Sequence, residues 1–174
     1  MKNSAPAVGP HDHVRGEASA PLTVVWYGDY ECPYTRASAP VIDALAAEHA
    51  GQVRLVFRHF PLRHLHANAQ VLSEITEAAA LQGRFWEVHD RVMRHRELTE
   101  RAVLHDLKAA GVDVDALAAQ LGAEALRERI EADVRGGKAA GVHSTPTFFF
   151  NGEIHDGKGD EATLRRLLDA ALAP

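Results

Sequence analysis

Residues 27–40, YGDYECPYTRASAP, contain the side chain best suited to nucleophilic chemistry. Cys32, the one cysteine among 174 residues, stands between a polar turn and a predicted helix that begins at Pro33. A helix N-terminus offers free backbone N–H groups and the positive end of the macrodipole, and both favour thiolate over thiol. The carboxylates of Asp29 and Glu31 act in the opposite direction. We expect a reactive nucleophile here rather than a small buried hydrophobe, which is the alternative for a free cysteine.

Thr35 follows the cysteine in the first turn of the predicted helix. Its hydroxyl can donate a hydrogen bond to the sulfur, which would stabilise the thiolate without being oxidisable. We therefore predict that Thr35 assists Cys32, and the alternative is an ordinary polar residue at a helix start.

A second group of interest is HSTPTFFF at residues 143–150. A proline directly before a buried strand removes a donor from the ladder, so it requires a sheet edge or a cis bond in a tight turn. A cis bond at Pro146 would leave the carbonyl and N–H of Thr145 free to bind an extended peptide. The element order predicts that this loop faces the start of the first helix. An ordinary proline at a strand entry is the alternative.

Composition limits the partners and the compartment. The chain fits one domain with a full apolar core. Its formal net charge of −5, from 19 basic and 24 acidic residues that are well mixed, leaves no positive field for nucleic acid. The opening MKNSAPAVGPHDHV does not resemble a signal peptide, and no apolar run approaches the roughly 18 residues of a membrane helix. We predict a cytoplasmic protein without membrane or nucleic-acid partners, in which Cys32 stays reduced. Nothing in the sequence predicts an oligomeric state.

The patterns of strands and helices follow in the order strand, helix, strand, helical block, strand, strand, helix. A parallel pair joined by a helix, followed by a hairpin and a closing helix, predicts an α/β thioredoxin fold with an inserted helical subdomain. We assign residues 21–62 and 140–174 to the core, 63–139 to the helical insertion, and 1–20 to a loose N-terminal arm. Predicted helix N-caps are Thr99, Asp113 and Asp160.

Taken together, these segments resemble the DsbA-like branch of the thioredoxin-fold disulfide oxidoreductases, in its soluble bacterial members. The resemblance covers about residues 11–172 and is carried by APLTVVWYGDYECPYTRASAP, VRLVFRHFPL, GRFWEVHD and GVHSTPTFFFNG. It implies that Cys32 is the attacking nucleophile and that Pro33 and Tyr34 tune it and line the substrate site. It also implies that Thr145 and Pro146 form a cis-proline substrate loop.

One position departs from the family pattern. The dithiol site of the family reads Cys-x-x-Cys, and here Thr35 replaces the second cysteine. Without a second sulfur the chain cannot store or resolve a disulfide by itself. We therefore expect a monothiol oxidoreductase, thiol transferase or disulfide isomerase that acts on thiol- or disulfide-containing proteins or peptides, the isomerase attacking and leaving without net redox change. No cofactor is expected to bind tightly, and glutathione or another small thiol would serve as co-substrate.

Two other functions fit the same residues. The groove beside Pro146 can serve as a peptide-binding module without redox activity. The related kappa-type glutathione transferases bind glutathione beside a Ser or Cys at this helix start, so a glutathione-dependent transferase or isomerase also fits. Reactivity of Cys32 separates the first of these from the oxidoreductase, and glutathione binding in the absence of any disulfide identifies the second.

The 11 histidines raise the question of a metal site. The pairs His11/His13 and His64/His66 have a two-residue spacing that can bind zinc, but a closed site needs a third and a fourth ligand. We predict no metal site and assign these pairs to the surface or to capping. His59, like His66, lies close to the second core strand, where we expect a structural role or a place beside the site.

Overall fold

The computed structural model of the chain describes residues 4–173. Strands and helices follow one another in this part of the chain as a five-stranded sheet and seven helices. The strands are β1 (His13–Arg15), β2 (Leu22–Gly28), β3 (Val53–His59), β4 (Thr147–Phe150) and β5 (Glu153–His155). The helices are α1 (Pro33–Glu48), α2 (Ala69–Ala80), α3 (Phe85–Arg94), α4 (Glu100–Ala109), α5 (Val114–Ala118), α6 (Glu124–Ala139) and α7 (Glu161–Leu172).

The sheet has the strand order β1-β3-β2-β4-β5. β2 and β3 are parallel and connected by α1, whereas β4 runs antiparallel to β2 and forms a hairpin with β5. This topology confirms the predicted thioredoxin fold. Strand β1, which pairs antiparallel with the outer side of β3, was missed because three residues between turn formers carry no strand pattern.

Side chains of the central strands point alternately to the two faces of the sheet, and each face carries its own apolar core. Trp26, Phe57 and Phe148 point to the face covered by α1, α7 and the helices of the insertion. Tyr27 and Phe149 point to the other face, where they meet Val134 of α6. Because side chains of a strand alternate between faces, a central strand buried on both sides reads as the continuous apolar run seen in the sequence.

The helix starts follow the expected capping chemistry. The side chain of Thr99 accepts a hydrogen bond from the backbone N–H of Ala102 at 3.2 Å. Asp113 and Asp160 cap α5 and α7 in the same way, as predicted.

The N-terminal arm is held more firmly than the sequence led us to expect. The guanidinium of Arg58 on β3 forms two hydrogen bonds with the carboxylate of Asp12, each 2.8 Å long. It also donates to the carbonyl oxygens of Pro6 and Ala7. Although burial alone would raise the pKa of Asp12, the bonds from Arg58 keep that pKa below its usual value. A loose arm is therefore wrong for residues 4–20, while residues 1–3 lie outside the described part of the chain.

The predicted insertion divides between the two faces of the sheet. Helices α2, α3, α4 and α5 pack together on the face of α1, but α6 returns to the opposite face, against β3. None of the helices within residues 4–173 is long and apolar enough to cross a membrane.

We expect two neighbouring glycines of α6 to respond oppositely to alanine. A Cβ at Gly137 would lie 2.9 Å from Cε1 of Tyr27 and 3.1 Å from the ring of Phe60, and both rings are buried. Gly137→Ala should therefore lower the free energy of unfolding by about 1–3 kcal/mol, measured by urea denaturation. The matched control is Gly136→Ala, whose nearest neighbour is Pro6 Cγ of the arm at 3.2 Å. It should leave stability unchanged or raise it by up to about 1 kcal/mol, because alanine favours a helix. Equal losses in the two variants would contradict this packing.

Candidate functional site

Cys32 lies at the junction between β2 and α1. The chain leaves β2 at Gly28 and turns, with the N–H of Cys32 donating to the carbonyl oxygen of Asp29 at 3.1 Å. Cys32 is the N-cap of α1, in an extended conformation, and Pro33 occupies the first turn, where its missing N–H costs no hydrogen bond. No side chain caps this helix start. The sulfur therefore stands where a capping group normally accepts hydrogen bonds from the first turn.

The thiol of Cys32 is directed at the loop before β4. Sγ donates to the carbonyl oxygen of Thr145 over 3.2 Å, and the peptide bond between Thr145 and Pro146 is cis. Strand pairing brings the two segments together, since Tyr27 lies opposite Thr147 near the end of β2. Cys32 is only 4% exposed. In the structure, the helix start and the proline loop thus meet at the sulfur.

The position of Thr35 corrects the contact that we predicted for it. Its side chain is fully buried, and its Oγ1 accepts a hydrogen bond from the N–H of Asp29 at 3.4 Å. The hydrogen bonds among residues 4–173 do not include one between Thr35 and Cys32. The methyl carbon Cγ2 of Thr35 packs against Gly28, and a Cβ atom added to Gly28 would lie only 2.9 Å from it. With the methyl group in this position, the hydroxyl of Thr35 faces the end of β2.

Two residues of the predicted site lie at the surface beside the buried sulfur. Pro33 is exposed, and the Tyr34 side chain is 74% exposed. Thr145 is buried, with its Oγ1 lacking a hydrogen-bond partner. Pro33 and Tyr34 are therefore accessible to a partner at this helix start.

Asp29 holds the segments around Cys32 together, a role that the sequence prediction missed. Its buried carboxylate accepts 2.8 Å hydrogen bonds from the N–H groups of Glu31 and Leu62, and a third 2.8 Å bond joins it to Nδ1 of His66. These bonds connect the turn before α1 to the chain that follows β3. An aspartate directly after a buried strand was the available sequence clue, because such a carboxylate sits where loop N–H groups need acceptors.

The two histidines near β3 have separate surroundings. His66 contacts the site through Asp29. The buried His59 points into the core on the face of α1, where its Nε2 lies 2.8 Å from Oε1 of Glu77. Although burial alone would raise the pKa of Glu77, hydrogen bonds from His59 and His13 hold it far below the usual value. The carboxylate is therefore ionised.

A neutral polar pair lies in the same core. The hydroxyl of Tyr30 and Nδ1 of His89 are 2.9 Å apart and fully buried. Burial raises the pKa of Tyr30 well above its ordinary value and lowers the pKa of His89 well below its own. Both groups therefore stay uncharged and serve packing, and the position of His89 on the buried face of the amphipathic helix α3 gave no sign of this partner.

The chemistry available at the site is that of one sulfur. Within residues 4–173, the side chains that lie close enough together to hold a metal ion are His13, His59 and Glu77. Cys32 does not belong to this group. The sulfur thus stands at an uncapped helix start, and its thiol donates to the backbone carbonyl of the adjacent loop. This arrangement supports nucleophilic attack by a thiolate on a sulfur or a carbon centre.

Comparison with known proteins identifies relatives along almost the whole chain. The family described as Thioredoxin matches residues 9–170. Among solved structures, a thioredoxin-like oxidoreductase from Silicibacter pomeroyi DSS-3 is 26% identical with a TM-score of 0.83, over 94% of this chain and 93% of that one. Oxidised BdbD from Bacillus subtilis is 19% identical and shares the fold, with a TM-score of 0.84 over 98% of this chain and 97% of BdbD.

Curated proteins that match this chain are named as Na(+)/H(+) antiporters and not as oxidoreductases. A protein called Na(+)/H(+) antiporter NhaA 1 from Salinispora arenicola is 40% identical over 163 residues, which is 93% of this chain and 25% of that protein. An NhaA from Herminiimonas arsenicoxydans is 38% identical over 168 residues, 95% of this chain and 27% of the relative. The chain thus spans about a quarter of the length of the curated relatives that it matches.

Replacement of Asp29 tests its role in holding the site. In Asp29→Asn, an amide NH₂ replaces one of two oxygens that accept hydrogen bonds, so a buried N–H loses its partner. We expect the free energy of unfolding to fall by about 2–3 kcal/mol in urea denaturation. The control, Glu31→Gln, changes an exposed contact with Asn68 and should cost less than about 1 kcal/mol. An Asp29→Asn protein as stable as the control would show that the carboxylate does not hold these segments.

Proposed function

Because the chain belongs to the thioredoxin family and has the DsbA-like fold, we propose that it is a thiol-disulfide oxidoreductase that acts through Cys32 alone. The observation that carries the proposal is the place of the sulfur, at the N-cap of α1 and 3.2 Å from the carbonyl of Thr145. A small external thiol, such as glutathione, completes the cycle as co-substrate.

The thiol form and the thiolate form use different partners. As a thiol, Cys32 donates to the Thr145 carbonyl, which occupies the proton. Once the proton leaves to solvent, the sulfur becomes an acceptor at an uncapped helix start, where the N–H groups of Tyr34 and Thr35 belong to the first turn. The helix start thus favours the anion that the reaction needs.

The first step is an attack by the thiolate on a substrate disulfide. The Cys32 sulfur forms a bond with one sulfur of the substrate, and the substrate S–S bond breaks. The other substrate sulfur leaves as a thiolate and takes a proton from solvent. The product is a mixed disulfide between Cys32 and the substrate, with no net change in the number of disulfides.

The second step requires a sulfur from outside the chain. Thr35 occupies the place of a resolving cysteine, and its hydroxyl cannot attack a disulfide. A thiolate of glutathione or a similar thiol therefore attacks the mixed disulfide and releases Cys32 as thiolate. When the protein holds a glutathionyl group, a second glutathione yields glutathione disulfide and free enzyme.

The loop at Pro146 and the ring of Tyr34 provide the substrate contacts in this proposal. Backbone groups of Thr145 would bind an extended peptide in the manner of an added strand, once the peptide displaces the Sγ contact with its carbonyl. The exposed ring of Tyr34 would pack against apolar side chains of the same peptide. The substrate class is accordingly a protein or peptide with a disulfide or a mixed disulfide.

The proposed compartment is the cytoplasm, where small thiols are abundant and reduced. We do not transfer cation transport from the relatives named as antiporters, because the matched region covers about a quarter of each. In the relatives named as antiporters, the proposed thiol-disulfide activity would apply only to the region that this chain matches.

Turnover of a glutathionylated peptide tests the proposal. Reduction by glutathione, followed through glutathione disulfide formation, should be saturable for the wild-type protein and fall to the uncatalysed rate in Cys32→Ser. Thr35→Cys is the informative second variant, since it restores a second sulfur at the family position. That variant should form an intramolecular disulfide and reduce insulin with dithiothreitol faster than the wild type.

The other results have distinct meanings. Activity that survives in Cys32→Ser would overturn the assignment of the nucleophile. An inactive wild type beside an active Thr35→Cys would overturn the monothiol cycle and leave a peptide-binding module. Saturable glutathione binding with conjugation to an electrophile, but no disulfide turnover, would favour the kappa-type transferase instead.

A further inference from the structure

Three side chains from separate elements converge where the N-terminal arm, the sheet and the insertion meet. Nε2 of His13 on β1 lies 2.7 Å from Oε1 of Glu77 on α2, and Nε2 of His59 on β3 lies 2.8 Å from the same oxygen. The three ligand atoms lie within 4.8 Å of one another. We propose that these three side chains bind a divalent transition-metal ion of the Zn²⁺ class.

The donor set suits such an ion. Imidazole nitrogen and carboxylate oxygen bind Zn²⁺ at about 2.0–2.2 Å, which places neighbouring ligand atoms of a tetrahedral site about 3.3 Å apart. The two contacts to Oε1 would therefore lengthen by about 0.5 Å, a shift within reach of side-chain torsions. Two histidines and one carboxylate with a remaining open position are found in zinc and non-haem iron sites.

The protein holds the two imidazoles in place before any ion binds. The ring of His13 stacks on Phe85, with centroids 3.4 Å apart and an interplanar angle of 4°. The ring of His59 is fully buried between the edges of Phe57 and Phe85. Rigid ligands lose little conformational freedom on binding, which favours affinity.

The carboxylate at the centre of the cluster is buried with the two imidazoles as its ion-pair partners. Glu77 is buried, and its ion pairs within residues 4–173 are with these two imidazoles and with no Lys or Arg.

His59 also has a buried ring nitrogen on the side away from Glu77. Its buried Nδ1 has no hydrogen-bond partner. Binding of an ion at Nε2 would fix the proton on Nδ1, and a separate ordered water would accept the hydrogen bond from that N–H. The His13 side chain is 12% exposed, which leaves a path for the ion and for a water as fourth ligand.

The site is separate from the redox sulfur. His59 lies opposite Gly28 in the register of β2 and β3, and Cys32 is absent from the cluster. An ion here would tie β1 to β3 and α2. Its direct effect is therefore on stability, and its test does not depend on the proposed reaction.

Isothermal titration with Zn²⁺ tests the site. The protein is first stripped with a chelator and carries Cys32→Ser, so that the sulfur contributes no binding. We expect one equivalent to bind, and His13→Gln to weaken binding by about 100-fold or more. The matched control is His11→Gln, which removes a nearby histidine outside the cluster and should bind as the parent does. The parent should also gain about 5–10 °C in Tm at Zn²⁺ concentrations near 100 times Kd.

A second measurement avoids replacing the buried ligands. Zn²⁺ should shift the Nε2 resonances of His13 and His59 in the folded parent, and Co²⁺ should give d–d absorption typical of low coordination number. Absence of saturable binding, or equal binding by His13→Gln, would overturn the proposal and leave a hydrogen-bonded network. Shifts confined to other histidines would overturn it equally.

Discussion

The sulfur of Cys32 and the carbonyl of Thr145 meet because two neighbouring strands place their connections at one edge of the sheet. β2 delivers the chain into α1, and β4 begins opposite Tyr27, directly after the cis peptide bond at Pro146. Strand pairing fixes this register on both buried faces, since a slip by one residue would exchange the side chains of the two cores. The 3.2 Å contact between sulfur and carbonyl is thus a consequence of the whole sheet.

Asp29 extends this constraint to the chain beyond β3. Its carboxylate binds the turn before α1, the N–H of Leu62 and the ring of His66, so the helix start cannot shift without breaking buried hydrogen bonds. Thr35 packs on the strand end below the sulfur and makes no bond with it. A single nucleophile held rigidly, without a neighbour that can resolve it, explains why the proposed cycle needs an external thiol.

Most of the fold could be predicted from the sequence because the central strands and helices have strong periodic patterns. The caps at Thr99, Asp113 and Asp160 follow from local chemistry and were also predictable. Strand β1 and the Arg58–Asp12 contact depend on partners about 40 residues or more away, so local pattern could not identify them. Glu77 lies in a helical stretch without a motif, and its partners His13 and His59 are 64 and 18 residues away, so local pattern gave no sign of these contacts. The orientation of Thr35 depends on packing against Gly28 and could not be read from composition.

The central claim is that the fold activates Cys32, and the rate of its alkylation tests this most directly. Iodoacetamide labelling at neutral pH, followed by mass spectrometry, compares the native protein with the protein unfolded in urea. We expect faster labelling in the native state, even though the residue is only 4% exposed, because the helix start stabilises the thiolate. Labelling that occurs only after unfolding would contradict the account, since Cys32 would then be an inert core residue.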